Sequence, residues 1–254
     1  MRIKNIYDST RIKNPTHRRY ISENYVIMNI IVKKITPFLA YLFNKISISP
    51  DFITILSFFS IFFGSGSLIF GYGQAACLFI ILFGLLDSLD GDLARLNKKK
   101  TKYGATLDTM GADLFYFLIP ISVSFYLYSQ DFENFLYQKE IIIIVGFFIS
   151  FFLIFYRLIG LRNYILFLNV KSLEKKRVRY KKRINFFRNF FKYFDHEFIR
   201  GNFFSEPGYI LNFSILIFMN EYQILYYYLL IILFYTFLRI LKIFFGTIIL
   251  YKGK

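Results

Sequence analysis

The sequence predicts an all-α membrane protein: six transmembrane helices preceded by an amphipathic interfacial helix, with both termini in the cytoplasm. Three observations carry that prediction. First, 56% of the 254 residues are hydrophobic and 22% aromatic, with mean hydropathy +0.45, which exceeds what a soluble core of this size needs. Second, largely apolar runs long enough to cross a bilayer at ~1.5 Å per residue recur along the chain. Third, Lys and Arg (32) outnumber Asp and Glu (16), and the excess is gathered into a few polar segments, as expected of loops facing anionic lipid.

Residues 1–51 read as a cytoplasmic N-terminal segment. Its first twenty residues hold no apolar stretch that would serve as a cleavable signal, so the chain is expected to start in the cytoplasm. Residues 24–48 mix apolar runs with Lys33, Lys34 and Lys45, the pattern of a juxtamembrane helix lying along the interface. Ser49 followed by Pro50 reads as a helix cap with proline in the first turn, so the first span opens at SPDFIT.

Residues 52–254 form the transmembrane domain, with spans expected near 52–70, 75–95, 105–128, 140–166, 207–220 and 222–246. Asn220 and Glu221 divide the last apolar region in two. The charges support this count: 31 of the 32 Lys and Arg lie in segments that six spans place on one side, and only Lys139 falls outside. GYGQ at 71–74 reads as an external turn, and Ser60, Gly64 and Gly66 as small residues for close helix packing. The basic segment 167–206, above all 171–193, reads as a surface stretch held by anionic headgroups. With one cysteine, Cys77, and two histidines, no disulfide framework or Cys/His metal cluster is available, so any metal site is built from carboxylates. Individual aromatics are read as compositional background, and no nucleic-acid-binding signature is present.

Five of the sixteen acidic residues, Asp87, Asp90, Asp92, Asp108 and Asp113, lie inside or beside the second and third spans. A carboxylate in hydrocarbon costs several kcal/mol unless partnered, so intramembrane acids are functional candidates. Salt bridges to Arg95 or Lys102 account for one or two of them at most. Measured from Arg95 and Gly104, Asp90 and Asp108 lie roughly 6–7 Å deep, and Asp87 and Asp113 roughly 12–13 Å. Asp87 and Asp90 share a helix face that Asp108 can meet across a polar cavity open to the cytoplasm. Converging oxygen ligands suit Mg²⁺ or Mn²⁺ bound with substrate phosphates, and so many charges suit two ions. Asp92 points away from Asp87 on a regular helix and reads as solvated.

The run Asp87-Ser-Leu-Asp90-Gly91-Asp-Leu-Ala94-Arg95, followed after eight residues by Gly104-Ala-Thr-Leu-Asp108, resembles the signature of the CDP-alcohol phosphatidyltransferase family. SPDFIT is similar to the start of the first span in that family. The resemblance implies attack of an acceptor hydroxyl on a CDP-activated lipid or alcohol donor, with release of CMP. It implies that Asp87, Asp90 and Asp108 hold the metals and that Gly91, Ala94, Arg95 and Gly104 contact the CDP moiety. It also implies a homodimer among membrane lipids. Two alternatives stay open: transfer from a CDP- or CMP-linked small donor to diacylglycerol, and a cation transporter with an intramembrane carboxylate path.

The chain departs from the family pattern at one point. The signature ends with an aspartate four residues after the last ligand, the presumed general base, and that position is Ala112 here. The nearest carboxylate, Asp113, lies about 140° around a regular helix from Asp108. A one-residue π-bulge at Gly111 would return it to the site as base and fourth metal ligand. Arg157, near the cytoplasmic end of the fourth span, is expected to line the acceptor pocket or to snorkel.

Overall fold

The structure, a computed structural model, describes residues 26–97, 101–130, 139–170 and 197–251. Residues 1–25 and the basic stretch 171–193 therefore lie outside the described residues. The fold is all-helical, with no strand among the described residues. The interfacial helix is α1 (Ile27–Lys45). It is followed by α2 (Pro50–Ile69), α3 (Gly73–Leu96), α4 (Lys102–Ser129) and α5 (Glu140–Val170). The chain then forms α6 (Glu197–Phe203), α7 (Glu206–Phe218) and α8 (Tyr222–Tyr251). Four helices, α2, α4, α5 and α8, are long and apolar enough to cross a membrane, and α7 is a shorter apolar helix.

Local chemistry explains the boundaries. The Ser49 hydroxyl accepts the Phe52 N–H at 3.2 Å with Pro50 in the first turn, as the sequence predicts. Thr101 caps α4 in the same way, accepting from Gly104 N at 2.9 Å. Three tight turns each depend on a left-handed residue: Ser47 (φ 58°), Gly71 (φ 81°) and Asn220 (φ 57°). In each, a backbone N–H beyond the helix end reaches back to satisfy an orphan carbonyl: Ile48 to Phe43, Tyr72 to Ser67 and Glu221 to Leu216. Gly71 and Tyr72 thus make the turn while Gly73 and Gln74 already open α3, and Asn220 follows α7 where the sequence divides the last apolar region.

Helix α1 is two-faced. Ile27, Ile31, Ile35, Phe38 and Leu42 form an exposed apolar stripe, while Met28, Val32, Lys33, Thr36 and Ala40 are buried. The exposed stripe is the face an interfacial helix lays in lipid. The buried face covers a small core of Ala40, Ile53, Leu86, Leu89 and Leu93 from α1, α2 and α3. A larger core joins α2 through α5 with α7 and α8, including Phe83 stacked on Phe115 at 5.1 Å. Of the small residues in α2, Gly64 packs as expected, since an added Cβ would lie 3.3 Å from Phe79, whereas a Cβ added at Gly66 would point into open space.

The sequence reading left α6 inside a basic surface segment, and the structure corrects that. Asn202 is buried, and its side-chain carbonyl accepts the Ile27 N–H at 2.7 Å, capping α1 across 175 residues of chain. Its backbone carbonyl accepts from Asn212 at 2.9 Å, and the Tyr228 hydroxyl donates to the Phe203 carbonyl at 2.6 Å. This short helix therefore ties α1 to α7 and α8. Asn202→Ala removes the cap of α1 and is expected to lower stability by about 1 kcal/mol, read from thermal unfolding of the purified protein.

Candidate active site

Three aspartates in the last ten residues of α3 are each directed to a different neighbouring helix. Asp90 is buried and accepts a 2.5 Å hydrogen bond from the Thr54 hydroxyl of α2. Asp87, half-buried, approaches the exposed Asp108 of α4 within hydrogen-bonding range. Asp92 faces α1, accepting from Lys33 at 2.7 Å and from the Thr36 hydroxyl at 2.5 Å. It also pairs with Arg95 one turn on.

That last arrangement corrects the sequence reading of Asp92 as solvated. Periodicity places it on the face away from Asp87, but the face is covered by α1 and the residue is 0% exposed. Lys33 is likewise 4% exposed, not a lysine in the headgroups. Gly104 lies against the first turn of α2, where an added Cβ would stand 2.9 Å from an Asp51 carboxylate oxygen and 3.0 Å from the Thr101 hydroxyl. A side chain there would crowd the polar end of the bundle beside Asp108.

The π-bulge expected near Gly111 is absent: Lys102–Ser129 is α-helical throughout. Gly111 instead makes room for Phe58 of α2, whose ring would lie 2.9 Å from an added Cβ. With the helix regular, Asp113 keeps its own direction and pairs with Arg157 of α5. Arg157 also reaches the Thr109 carbonyl at 3.4 Å and lies 5.1 Å from the centre of the Tyr116 ring. This is a partnered arginine rather than a snorkelling one. The Tyr116 ring is thus part of the site, although the sequence reading set aromatics down as background.

Glu206 is the acid that sequence reasoning missed. It opens α7, its N–H donates to the Tyr116 hydroxyl at 3.1 Å, and its side chain feels the charges of Arg157, Asp108 and Asp113. The available signal was a glutamate directly before proline at the start of an apolar run, a helix-start pattern that says nothing about which site the helix faces. Arg239 of α8 closes the neighbourhood, bonded to the Tyr156 hydroxyl and 3.9 Å over its ring.

The donor chemistry is that of a hard divalent cation: carboxylate oxygens only, with two of them in contact. Among the described residues, no three of His, Cys, Asp and Glu are drawn together as a finished ligand set. Asp87 and Asp108 converge, and Asp90 is turned to Thr54.

Comparison with known proteins bears on the same residues. A protein of Aquifex aeolicus (strain VF5), described as uncharacterized, is 34% identical over 89 residues, which is 32% of this chain. The chain spans 45% of the length of that relative. No solved structure matches. The model of the CDP-alcohol phosphatidyltransferase family matches residues 47–187, more than half of the chain and a range that contains α2 to α5 with all the aspartates named above. On that match, the chain belongs to the CDP-alcohol phosphatidyltransferase family.

Proposed function

We propose that this chain is a membrane phosphotransferase of phospholipid synthesis that moves a phosphatidyl group from a CDP-activated donor to an acceptor alcohol and releases CMP. The observation that carries this reading is the contact of Asp87 with Asp108 between α3 and α4, within the stretch that the family model matches. A transporter would not need Gly91, Ala94, Arg95 and Gly104 around its acids.

In this reading residues 1–51 are the cytoplasmic segment and 52–254 the catalytic domain, with six crossings, both termini and the site on the cytoplasmic side, and two chains in a dimer. The four long apolar helices support four of the crossings. Helix α3 carries three aspartates and an arginine at its cytoplasmic end. Helix α7, with 13 residues, is about 20 Å long, so its crossing is short of the ~30 Å hydrocarbon core and relies on the turn to α6.

Asp87, Asp90 and Asp108 would hold Mg²⁺ or Mn²⁺, which when bound withdraws charge from the donor pyrophosphate. Thr54 fixes the Asp90 carboxylate, and the small residues Gly91, Ala94 and Gly104 leave room for the nucleotide beside Arg95. Arg157 orients the acceptor, and Asp113 beside it takes the hydroxyl proton. A second reading gives that proton to Glu206, and it is favoured by the place of Glu206 at the start of α7, bonded to the Tyr116 hydroxyl whose ring faces Arg157.

Purified protein with CDP-diacylglycerol, Mn²⁺ and a panel of alcohols is expected to release CMP. Failure with every CDP-activated donor, together with cation flux in liposomes, would replace this reading with the transporter. Asp87→Asn, Asp90→Asn and Asp108→Asn are each expected to lower turnover at least about a hundredfold. In chelator their thermal stability should equal or exceed that of the parent, because a buried charge has been removed. Thr54→Val keeps the volume but loses the bond to Asp90, and should weaken Mn²⁺ binding about tenfold in a titration. Asp113→Asn is expected to cost about 10²-fold in kcat with Mn²⁺ affinity unchanged, while Glu206→Gln stays near the parent. The reverse pattern would assign the proton to Glu206.

A further inference from the structure

We propose that Asp92 is a positioning residue for Arg95 and that, through Lys33 and Thr36, it makes the interfacial helix part of the donor-binding site. Asp92 does not share the face of Asp87, and on the sequence alone it has no task. In the fold it is fully buried and accepts from three groups: the Lys33 ammonium at 2.7 Å, the Thr36 hydroxyl at 2.5 Å and the Arg95 guanidinium. Lys33 and Thr36 are one turn apart on the buried face of α1, and Arg95 is one turn beyond Asp92 on α3.

The consequences follow from geometry. An arginine at the end of a helix samples many rotamers, and ordering it costs up to about 2 kcal/mol of side-chain entropy. Arg95 is held against Asp92 with its side chain 9% exposed, so much of that cost is met before any ligand arrives. Asp92 in turn keeps its direction because two α1 side chains hold its oxygens. Arg95 lies close enough to Asp90 for its charge to act there, so the clamp sets the guanidinium beside the acidic site rather than out in the headgroups. The opposite face of α1 carries the exposed stripe Ile27, Ile31, Ile35, Phe38 and Leu42. Seating of α1 in the membrane surface and the direction of Arg95 are thereby linked through one carboxylate.

This inference rests on the reading that Arg95 contacts a nucleotide-linked phosphate, and the two are separable by one probe. The probe is CMP, titrated into the full-length protein in lipid nanodiscs with Mn²⁺. Arg95→Ala is expected to weaken CMP binding about tenfold or more. If it binds CMP as the parent does, the nucleotide reading of Arg95 fails. Asp92→Asn is expected to weaken CMP binding about tenfold, and Thr36→Val, which keeps volume and charge, about threefold. In the Arg95→Ala background neither substitution should weaken binding further. Asn202→Ala is the control: it loosens the other end of α1 and should lower thermal stability without changing CMP binding. If Arg95→Ala weakens binding while Thr36→Val and a folded Asp92→Asn, or Thr36→Val alone where Asp92→Asn does not fold, bind CMP as the parent does, the clamp is a packing device and the proposal is overturned.

Discussion

A carboxylate inside an apolar helical bundle costs several kcal/mol unless another group partners it, and the C-terminal end of α3 is arranged around that cost. Its three aspartates point in three directions, and each meets a different solution. Asp92 is matched with two cations and a hydroxyl, Asp90 with the Thr54 hydroxyl, and Asp87 only with other acids. The first is satisfied within the protein itself. The last gathers acids, whose charge the proposed metal ions would balance.

The packing of α1, α2 and α4 around α3 follows from this division. Interfacial helix α1 is drawn in by Lys33 and Thr36, and its apolar residues then close over Leu86, Leu89 and Leu93. Helix α2 approaches through Thr54 and the close contact at Gly64, and α4 through the approach of Gly111 to Phe58. Polar bonds set the register near the end that carries the aspartates, and apolar interdigitation carries it through the rest of the bundle. Pro120 lies within α4, and the Ser150 hydroxyl of α5 donates to the Phe117 carbonyl at 2.8 Å in the turn before it, a polar contact between the two helices.

On the far side of Asp108 the chain uses a different set of partners. Arg157, Tyr116, Asp113 and Glu206 form a mixed network of one cation, two acids and a ring, drawn from α4, α5 and α7. Arg157 is 30% exposed and Asp113 46% exposed at the side chain, so this pair remains accessible, unlike the sealed four-residue cluster at Asp92. The contrast separates the two ends of the site: one that is fixed by burial and one that a ligand can still reorganise.

The sequence by itself determined the helical class, the family signature at Asp87, Asp90 and Asp108, and the helix ends, because apolar runs, capping residues and turn formers act over a few neighbouring positions. It placed α2 to α5, α7 and α8 within about five residues, and the breaks at Gly71 and Asn220, but not α6. It did not determine whether the face of α3 that carries Asp92 meets water or another helix, since periodicity gives the direction of a side chain but not what lies there. Nor did it bring Glu206 to Asp87, or show that α4 stays regular at Gly111 because Phe58 fills the space beside it. Those features were decided by tertiary structure alone, because each depends on contacts between helices far apart in the chain, and such contacts leave no local pattern to read.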